Sequence, residues 1–370
     1  MKFAIITHAL HFKKEEVLYA YAPYVREMNL WGNYVDEILL VAPTSEKKIT
    51  KIHLPYTNKN IKLYNIPSIS LSSLNEILKS ILFFPIIFFK VLIVMNKADH
   101  IHLRCPGNIG LIGCLVQVFF PKKKKTTKYA GNWDPKAIQP VSYRFQKWLL
   151  SNTFLTRNMQ VLVYGEWPDQ TNNIKSFFTA SYSKEKTPSI RSREFKTPFR
   201  FLFVGSLAPG KQPTYSVQIV AELIKKGFDC KLDFFGDGAE RTHLENYIQE
   251  NKLSDIIKLH GNQDENVVVE SYKESDFLIL PSKSEGWPKV VAEAMFWGAI
   301  PLVTKISCVP WMLGDGERGI LLEAQLKKDV QTIEGHLLNL EQLKKMSKKS
   351  QEWSRQYTLD DFEEEIKKLI

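Results

Sequence analysis

Cysteine is scarce in this 370-residue chain, and its copies are widely separated. The four residues, Cys105, Cys114, Cys230 and Cys308, form no C-x-x-C pair and have no histidine at metal-ligand spacing. This pattern argues against a disulfide framework and against a zinc site, and it favours a reducing compartment. The apolar start, Met1 to Thr7, is too short for the core of a signal peptide. We therefore expect a cytoplasmic protein.

Long uninterrupted apolar runs are also missing. The most apolar stretch, Ile77 to Met95, is broken by Lys79, Pro85 and Lys90. A membrane-spanning helix needs about 20 residues with few or no charges. The sequence therefore predicts either a buried domain helix or a helix that lies on a membrane surface, and it leaves both open.

Acidic residues are under-represented in the first half of the chain. Residues 1–200 contain 29 Lys and Arg against 13 Asp and Glu, whereas residues 201–370 contain 21 against 27. A basic half suggests an anionic partner, although a solvated basic face is the simpler alternative. Nucleic acid is not expected, because the basic residues are not interleaved with a pattern of aromatic ones. Together with Ile77–Met95, the run Lys122 to Lys125 instead suits an anionic membrane surface.

The length predicts two domains, because 370 residues exceed what one hydrophobic core usually serves. Apolar runs of strand length alternate with helical segments in both halves, and the basic segment Ser183 to Thr197 resembles a linker between them. This alternation indicates an α/β fold with two doubly wound parallel-sheet domains. The predicted strands are Phe3–Thr7, Glu37–Val41, Ile61–Ile66, His100–Leu103, Thr127–Tyr129, Val161–Tyr164, Phe201–Val204, Lys231–Phe235, Ile257–His260, Phe277–Leu280, Ile300–Val303 and Gly319–Leu322.

A glycine-bearing loop follows the first strand of the second half. The residues from Gly205 to Gln212 nearly match the phosphate loop G-x-x-x-x-G-K-[ST], but Gln212 lacks the hydroxyl that would bind Mg²⁺. This departure argues against a P-loop NTPase. The loop can still offer backbone N–H groups and the Lys211 ammonium to a phosphate. The alternative is a tight turn with a solvated lysine.

A second loop carries two glutamates eight residues apart. Glu285 lies in a turn after a predicted strand, and Pro288 suits the first turn of the helix that follows. Glu293 lies on that helix among apolar neighbours, where a carboxylate is costly to bury unless it is paired or bound to a ligand. The alternative makes Glu285 a charge near the helix N-terminus and Glu293 part of a buried ion pair.

These segments resemble the retaining glycosyltransferases of family 4, which have the GT-B fold of two Rossmann-like domains facing a central cleft. The resemblance covers about 199–325 and rests on the two loops, on Phe235-Gly236-Asp237-Gly238-Ala239-Glu240-Arg241, on Leu259-His260-Gly261, and on Gly298-Ala299-Ile300-Pro301 after the second glutamate. It implies an acceptor domain at 1–190, a nucleotide-sugar donor domain at 199–350, and a helix at 351–370 that returns to the first domain. No D-x-D triplet occurs, which fits the metal-independent GT-B type.

The resemblance also implies roles for individual residues. Lys211 and Glu285 are expected to be catalytic, with Lys211 neutralising the pyrophosphate and Glu285 next to the transferred sugar. The helix that starts after Gly286 would point its N–H groups at the phosphates, and Glu293 would bind the ribose hydroxyls. The implied donor-binding residues are Gly205, Ser206, Lys211, Gly261, Asn262, Glu285, Gly286, Trp287, Pro288, Lys289, Val290 and Glu293, with Gly261 and Asn262 at the nucleobase.

The sequence departs from the family pattern at several positions. Ser206 stands where many members have an arginine on the pyrophosphate, so half of the usual cationic clamp is either missing or supplied from elsewhere, with Arg104 and Lys289 as candidates. The N-terminal glycine-rich loop is also absent. On the acceptor side, candidates are inferred only from their positions at strand carboxyl ends. They are His8, His11, Arg104, Asn132, Trp133 and Asp134, with packing as the alternative for each and sugar stacking as the expectation for Trp133.

The sequence thus predicts a retaining, metal-independent glycosyltransferase without a cofactor. We expect it to move a hexose from a UDP- or GDP-sugar to a lipid-linked or other glycan acceptor in surface-polysaccharide biosynthesis. Its expected location is cytoplasmic, peripheral on the inner face of the membrane. Two alternatives stay open: a sugar-nucleotide epimerase or phosphorylase on the same fold, and a catalytically impaired glycan-binding relative.

Overall fold

The computed structural model describes residues 1–50, 52–70, 73–190 and 192–370. These residues divide into two compact units. The first unit contains Met1–Phe177 and Phe362–Ile370, and the second contains Phe178–Asp361.

The first unit is built on a seven-stranded parallel sheet with the order β10-β9-β8-β7-β1-β4-β6, beside a small antiparallel sheet, β2-β3-β5. Its strands are β1 (Lys2–Ile6), β2 (Phe12–Lys14), β3 (Val17–Tyr21), β4 (Glu37–Pro43), β5 (His53–Pro55), β6 (Ile61–Ile66), β7 (His100–Cys105), β8 (Lys124–Tyr129), β9 (Met159–Tyr164) and β10 (Ile174–Phe177). Its helices are α1 (Ala22–Gly32), α2 (Leu74–Lys97), α3 (Asn108–Val116) and α4 (Val141–Ser151).

Both faces of this sheet are covered. Successive side chains of a strand point to opposite faces, so neighbouring residues of β1 pack into different layers. Ala4 and Ile6 of β1 join the core beneath α2, α3 and α4. Phe3, the residue before Ala4, points to the other face, where its ring stacks on Trp31 of α1 at 5.4 Å between centroids. Burial on both faces explains why β1 reads as a continuous apolar run.

The second unit is built on a six-stranded parallel sheet with the order β13-β12-β11-β14-β15-β16. Its strands are β11 (Phe199–Val204), β12 (Cys230–Phe235), β13 (Ile257–Leu259), β14 (Phe277–Leu280), β15 (Ile300–Thr304) and β16 (Ile320–Leu322). Its helices are α5 (Pro213–Lys225), α6 (Arg241–Glu250), α7 (Glu265–Glu274), α8 (Lys289–Trp297), α9 (Val309–Met312), α10 (Leu326–Leu337) and α11 (Leu340–Ser354), and α12 (Leu359–Leu369) follows.

The predicted fold class of two doubly wound α/β domains is confirmed, and each predicted strand has a counterpart within a few residues. The strands that the sequence analysis missed are β2, β3, β5 and β10. Each has only three to five residues, and a strand this short is defined by the partner it pairs with more than by its own apolar pattern.

Two predicted segments differ from the structure. The polar helix expected at 351–370 is interrupted, because Thr358 and Asp361 cap the start of α12. The Asp361 amide donates to the Thr358 hydroxyl at 3.2 Å, and the Thr358 amide donates back to the Asp361 carboxylate at 3.3 Å. The predicted linker is docked on the second unit, since the Arg193 guanidinium donates to the carbonyls of Gly298 and Trp297; its residue Arg191 lies outside the described residues.

Candidate functional site

Three glycine-bearing turns meet at the carboxyl edge of the second sheet. Gly205, Gly236 and Gly261 follow the neighbouring strands β11, β12 and β13. The Gly205 amide donates to Phe235 O at 2.9 Å, and the Gly236 amide donates to Gly261 O at 2.8 Å. A Cβ at Gly236 would lie only 1.8 Å from Gly205 O, and its φ of +145° also favours glycine. The close approach therefore requires glycine and fixes the loop at Gly205.

The structure brings Lys211 and Glu285 into direct contact at this edge. The Lys211 ammonium donates a short hydrogen bond to the Glu285 carboxylate. Their side chains are 28% and 9% exposed, respectively. The two loops are also joined through the backbone, since the Lys283 amide donates to Gly210 O at 2.8 Å. A half-exposed cation and a mostly buried carboxylate thus lie side by side where parallel α/β sheets bind their ligands.

The turn after Glu285 leads into α8. This helix begins at Lys289, and Pro288 is its N-cap, one position earlier than the predicted place in the first turn. Lys289 and Val290 are half-buried in the first turn of the helix. Gly286 O accepts a hydrogen bond from the Cys308 thiol at 3.0 Å, which fastens the turn. The N-terminus of α8 therefore directly follows the loop that carries Glu285, in the position expected for an anion-binding helix end.

Trp287 anchors this turn from within. Its side chain is buried, and its ring stacks on Trp353 at 6.1 Å between centroids. Trp311 and Tyr357 contact the same ring at 6.1 Å and 5.7 Å. Trp287 consequently holds the loop in place through packing rather than offering a surface to a ligand.

Glu293 is engaged by the protein itself. Its carboxylate accepts hydrogen bonds from the Ser181 hydroxyl at 2.5 Å and from the Tyr272 hydroxyl at 3.0 Å. Burial, followed by the charge of Glu293, raises the pKa of Tyr272 well above its ordinary value, so that this hydroxyl is a donor. The sequence analysis expected an ion pair or a ligand here. The structure shows a hydroxyl donor on each carboxylate oxygen in place of the ion pair, and the role of Glu293 at the ribose stays a prediction.

The remaining donor candidates lie on the surface of the same edge. Ser206 and Asn262 are exposed, and Gly261 has a φ of +68°. Beside Gly261 lies the guanidinium of Arg241, 3.4 Å from where a Cβ of that glycine would be. Arg241 is held by Glu245 at 2.8 Å. Sequence reasoning gave Arg241 no role, although it closes the Phe235–Arg241 segment that carries the resemblance.

The first unit has a pocket of about 580 Å³ at the carboxyl edge of its own sheet. His8 and Arg104, both predicted acceptor-side residues, line it. The complete lining is Thr7, His8, Ala9, Leu10, Phe12, Tyr21, Tyr24, Ile52, His53, Arg104, Cys105, Pro106 and Ala130. Burial and the nearby Arg104 charge lower the pKa of His8, which favours the neutral imidazole there.

His11, another predicted acceptor-side residue, does not line this pocket. It is fully buried, with Nδ1 at 2.8 Å from Ala9 O and Nε2 at 2.8 Å from the Tyr56 hydroxyl. Burial lowers the pKa of His11 to about 4. Both ring nitrogens have protein partners, and His11 is not among the residues that line the pocket.

Arg104 is paired within the first unit. Its Nη1 donates to Glu27 Oε2 at 2.7 Å, and the two side chains are 10% and 8% exposed. Its guanidinium carbon also lies 5.3 Å from the centre of the Tyr24 ring. Arg104 therefore already has a carboxylate partner, which argues against its replacing the arginine that is missing at Ser206.

The segment Asn132, Trp133 and Asp134 is not brought into the pocket. Asn132 and Asp134 are engaged in their own turn, since the Asn132 side-chain oxygen accepts from the Asp134 amide at 2.9 Å. The Trp133 ring is only 3% exposed, packs edge-on against Tyr129, and donates from Nε1 to Gln170 at 2.8 Å. The expected stacking of Trp133 on a sugar is corrected, because its ring belongs to the core.

Comparisons with known proteins agree with this arrangement. The family described as Glycosyl transferases group 1 matches residues 185–356, which lie in the second unit and carry the three glycine turns, Lys211, Glu285 and Glu293. An uncharacterized glycosyltransferase of Methanocaldococcus jannaschii is 30% identical over 158 residues, covering 42% of this chain and 43% of the relative. The chain therefore spans less than half the length of this relative. The predicted resemblance is confirmed for group 1, and assignment to family 4 stays a prediction.

Solved structures show the same fold over the whole chain. The lipopolysaccharide outer core galactosyltransferase WaaB, in its apo form, superposes with a TM-score of 0.70 at 16% identity, covering 100% of this chain and 99% of that one. Anabaena HepE in complex with UDP-glucose also gives a TM-score of 0.70, at 13% identity and with coverage of 100% and 98%. The fold is therefore GT-B, as predicted.

Proposed function

We propose that the protein is a retaining glycosyltransferase that transfers a hexose from a UDP- or GDP-sugar to a lipid-linked or other glycan acceptor in surface-polysaccharide biosynthesis. The contact between Lys211 and Glu285 beside the glycine turns carries this proposal. The group 1 match over residues 185–356 supports a donor site in the second unit, and the UDP-glucose bound to Anabaena HepE supports a UDP-sugar.

The proposed reaction breaks the bond between the sugar C1 and the diphosphate oxygen. The acceptor hydroxyl attacks C1 on the face that the diphosphate leaves, and its proton passes to the departing phosphate oxygen. Lys211 would stabilise the negative charge that grows on that oxygen, together with the N–H groups at the start of α8. Glu285 would hold Lys211 in place and accept hydrogen bonds from the sugar hydroxyls.

We propose that this charge stabilisation needs no metal ion or cofactor. Lys211 and the helix N-terminus supply the positive potential that a divalent cation supplies elsewhere. Among the described ranges, no group of three or more His, Cys, Asp or Glu side chains could hold a metal ion. The acceptor would bind in the 580 Å³ pocket of the first unit, where His8 and several aromatic side chains form the walls.

Donor binding and turnover test the proposal. The full chain is titrated with UDP-, GDP-, ADP- and dTDP-sugars by calorimetry, and slow donor hydrolysis is followed by mass spectrometry. Wild type is compared with Lys211→Ala and Glu285→Gln, and with Lys345→Ala as an exposed-lysine control from α11. Losing the charged contact at Lys211 should weaken donor binding by roughly 10- to 100-fold. Glu285→Gln should leave binding within about tenfold and lower turnover by about 100-fold.

Other outcomes would overturn the proposal in distinct ways. Binding of none of these donors by wild type would favour the impaired glycan-binding relative. An altered sugar still attached to its nucleotide would indicate an epimerase, and a sugar phosphate formed from a glycan in phosphate buffer would indicate a phosphorylase. Equal losses of donor binding in Lys345→Ala and Lys211→Ala would show that the donor site does not lie at the carboxyl edge of the sheet in the second unit.

A further inference from the structure

Helix α2 has one buried and one exposed apolar face. Its inner side chains, among them Ile87, Val91 and Val94, are fully buried in the core of the first unit. Its outer side carries a stripe that we call the α2 ridge and that consists of Leu78, Ile81, Leu82, Phe89 and Ile93, each between 52% and 71% exposed. A continuous apolar stripe of this kind on a protein surface marks an interaction site.

The length and composition of α2 are sufficient for a membrane span, and it is the one such helix in the part of the chain that the structure describes. About 22% of its most apolar window is buried inside the first unit. Spanning a bilayer would withdraw the inner side chains from the core that covers the sheet. An orientation in the plane of a surface keeps that core intact and still covers the ridge.

The exposed apolar surface extends beyond α2. Phe119, just after α3, is 65% exposed, and its ring lies 6.3 Å from that of Phe88 on α2. Phe154, just after α4, is 70% exposed. The two loops are tied together, because the Gln117 side-chain amide donates to Leu155 O at 3.1 Å. Since α3 packs against both α2 and α4, the ridge and the two phenylalanines belong to the same helical layer of the first unit.

The charges around this layer are mostly positive. Residues 77–165 contain 13 Lys and Arg, and their only acidic residues are Asp99 and Asp134. Lys123 fastens the Lys122–Lys125 run to the end of α2, because its ammonium donates to Met95 O at 2.8 Å, Asn96 O at 2.6 Å and Ala98 O at 2.5 Å. The basic run is therefore held directly beside the exposed apolar helix.

A basic groove of about 1000 Å³ opens next to this run. Lys122 and Arg157 line it and are exposed, and Lys124 and Lys368 lie on its walls. The Arg157 guanidinium carbon sits 4.6 Å from the centre of the Phe154 ring. An apolar aromatic side chain and a cation thus occur together at one point, as expected for a surface that contacts acyl chains and anionic headgroups at once.

We propose that the first unit docks on an anionic lipid bilayer, with the α2 ridge, Phe119 and Phe154 in the acyl boundary and Lys122 and Arg157 on the headgroups. Nucleic acid would match the cations and leave the ridge exposed to water, whereas a lipid surface matches both. All residues of the docking surface belong to the first unit, so the docking proposal can be tested independently of the donor chemistry proposed above.

Vesicle sedimentation of the purified full chain tests this docking. The vesicles are phosphatidylcholine alone or a 70:30 mixture with phosphatidylglycerol, at low and high salt. Replacing both Leu82 and Phe89 by Asp should reduce the partition coefficient by tenfold or more, because two large apolar side chains no longer leave water and two charges would have to enter the acyl boundary. Leu338→Asp in the second unit, whose native side chain is 73% exposed, is the matched control and should bind like wild type.

The basic groove is tested separately. In the double variant Lys122→Ala with Arg157→Ala, the partition coefficient on the mixed vesicles should fall about fivefold for each neutralised charge. On the neutral vesicles it should change little. High salt should reduce wild-type binding in the same way. Far-ultraviolet circular dichroism and thermal unfolding of every variant check folding, and the altered side chains are exposed.

Several results would overturn the docking proposal. Wild type that stays in solution with the mixed vesicles would overturn it, and so would equal losses in the Leu82/Phe89 variant and in Leu338→Asp. Light scattering that shows a dimer, which the Leu82/Phe89 variant disperses without any change in vesicle binding, would assign the ridge to a second copy of this chain. Donor binding is read out separately, so a failure here leaves the proposed function untouched.

Discussion

The buried pair of Arg104 and Glu27 should be a strong determinant of the stability of the first unit. The two side chains meet at 2.7 Å and are about nine-tenths buried. Removing one partner leaves an uncompensated buried charge, which typically costs about 3 to 5 kcal/mol. We therefore expect Glu27→Gln to lower the free energy of unfolding of the first unit by roughly that amount.

A double-mutant cycle separates the pair from its surroundings. Arg104→Met alone should also be strongly destabilising, since it leaves the Glu27 carboxylate buried. The double variant Glu27→Leu with Arg104→Met replaces both charges by apolar groups and should recover most of the loss. Glu16→Gln, which breaks the exposed pair with Lys13 at 3.4 Å, is the control and should change stability by less than about 1 kcal/mol.

Hydrogen exchange of peptides from β1 and β7, measured in increasing urea, reports the unfolding of the first unit separately from that of the second. A loss below about 1 kcal/mol for Glu27→Gln would refute the reasoning, as would a double variant as unstable as the sum of the two single ones. Arg104→Met that keeps full stability and loses donor affinity would show instead that Arg104 supplies the charge missing at Ser206.

Three further predictions concern the glycine turns, Glu293 and pH. Gly236→Ala should abolish donor binding and destabilise the second unit, because its Cβ would overlap Gly205 O at 1.8 Å; calorimetry with a UDP-sugar and thermal unfolding measure both effects. Tyr272→Phe should cost about 1 to 2 kcal/mol in urea unfolding, because a buried hydrogen bond to Glu293 is lost. With the folded-state pKa of His11 at about 4 against an ordinary 6.5, the unfolded chain takes up a proton first on acidification, so stability should fall by up to about 3 kcal/mol between pH 6.5 and 4.

Each of these three predictions has a control or an outcome that would contradict it. Gly335→Ala adds a Cβ where nothing lies within 4 Å, so it should leave donor binding unchanged, and because Gly335 lies inside helix α10 it should raise stability by about 0.5 to 1 kcal/mol instead of lowering it. If Tyr272→Phe leaves stability intact and weakens donor binding, Glu293 acts on the ribose as the resemblance implies. His11→Gln should reduce the slope of stability against pH in the acid range, and an unchanged slope would assign it to other groups, of which His100, with its pKa also lowered to about 4 by burial, is the first candidate.

Local patterns carried much of the prediction. Strands such as β1 and β11 are buried on both faces, so their continuous apolar runs were visible without the fold. The two loops with Lys211 and Glu285 could be recognised because a strand end, a glycine turn and a helix start follow one another within about ten residues. Their contact followed from topology, since β11 and β14 are neighbours in the sheet and their carboxyl ends meet at one edge.

The remaining features depend on residues that are distant in the sequence. Glu27 is 77 positions from Arg104, and Ser181 is 112 positions from Glu293, so no local pattern could show that these polar groups already have partners. Trp133 is a similar case. Its position directly after a strand is compatible both with a ligand site and with the hydrophobic core, and the sequence alone could not distinguish them. The sequence by itself determined most of the strands, turns and helices, because these depend on neighbours along the chain, whereas the short strands β2, β3, β5 and β10 depend on the strands with which they pair. Only the tertiary structure decided which polar side chains are free to meet a ligand, because burial and pairing are set by elements that the fold brings together.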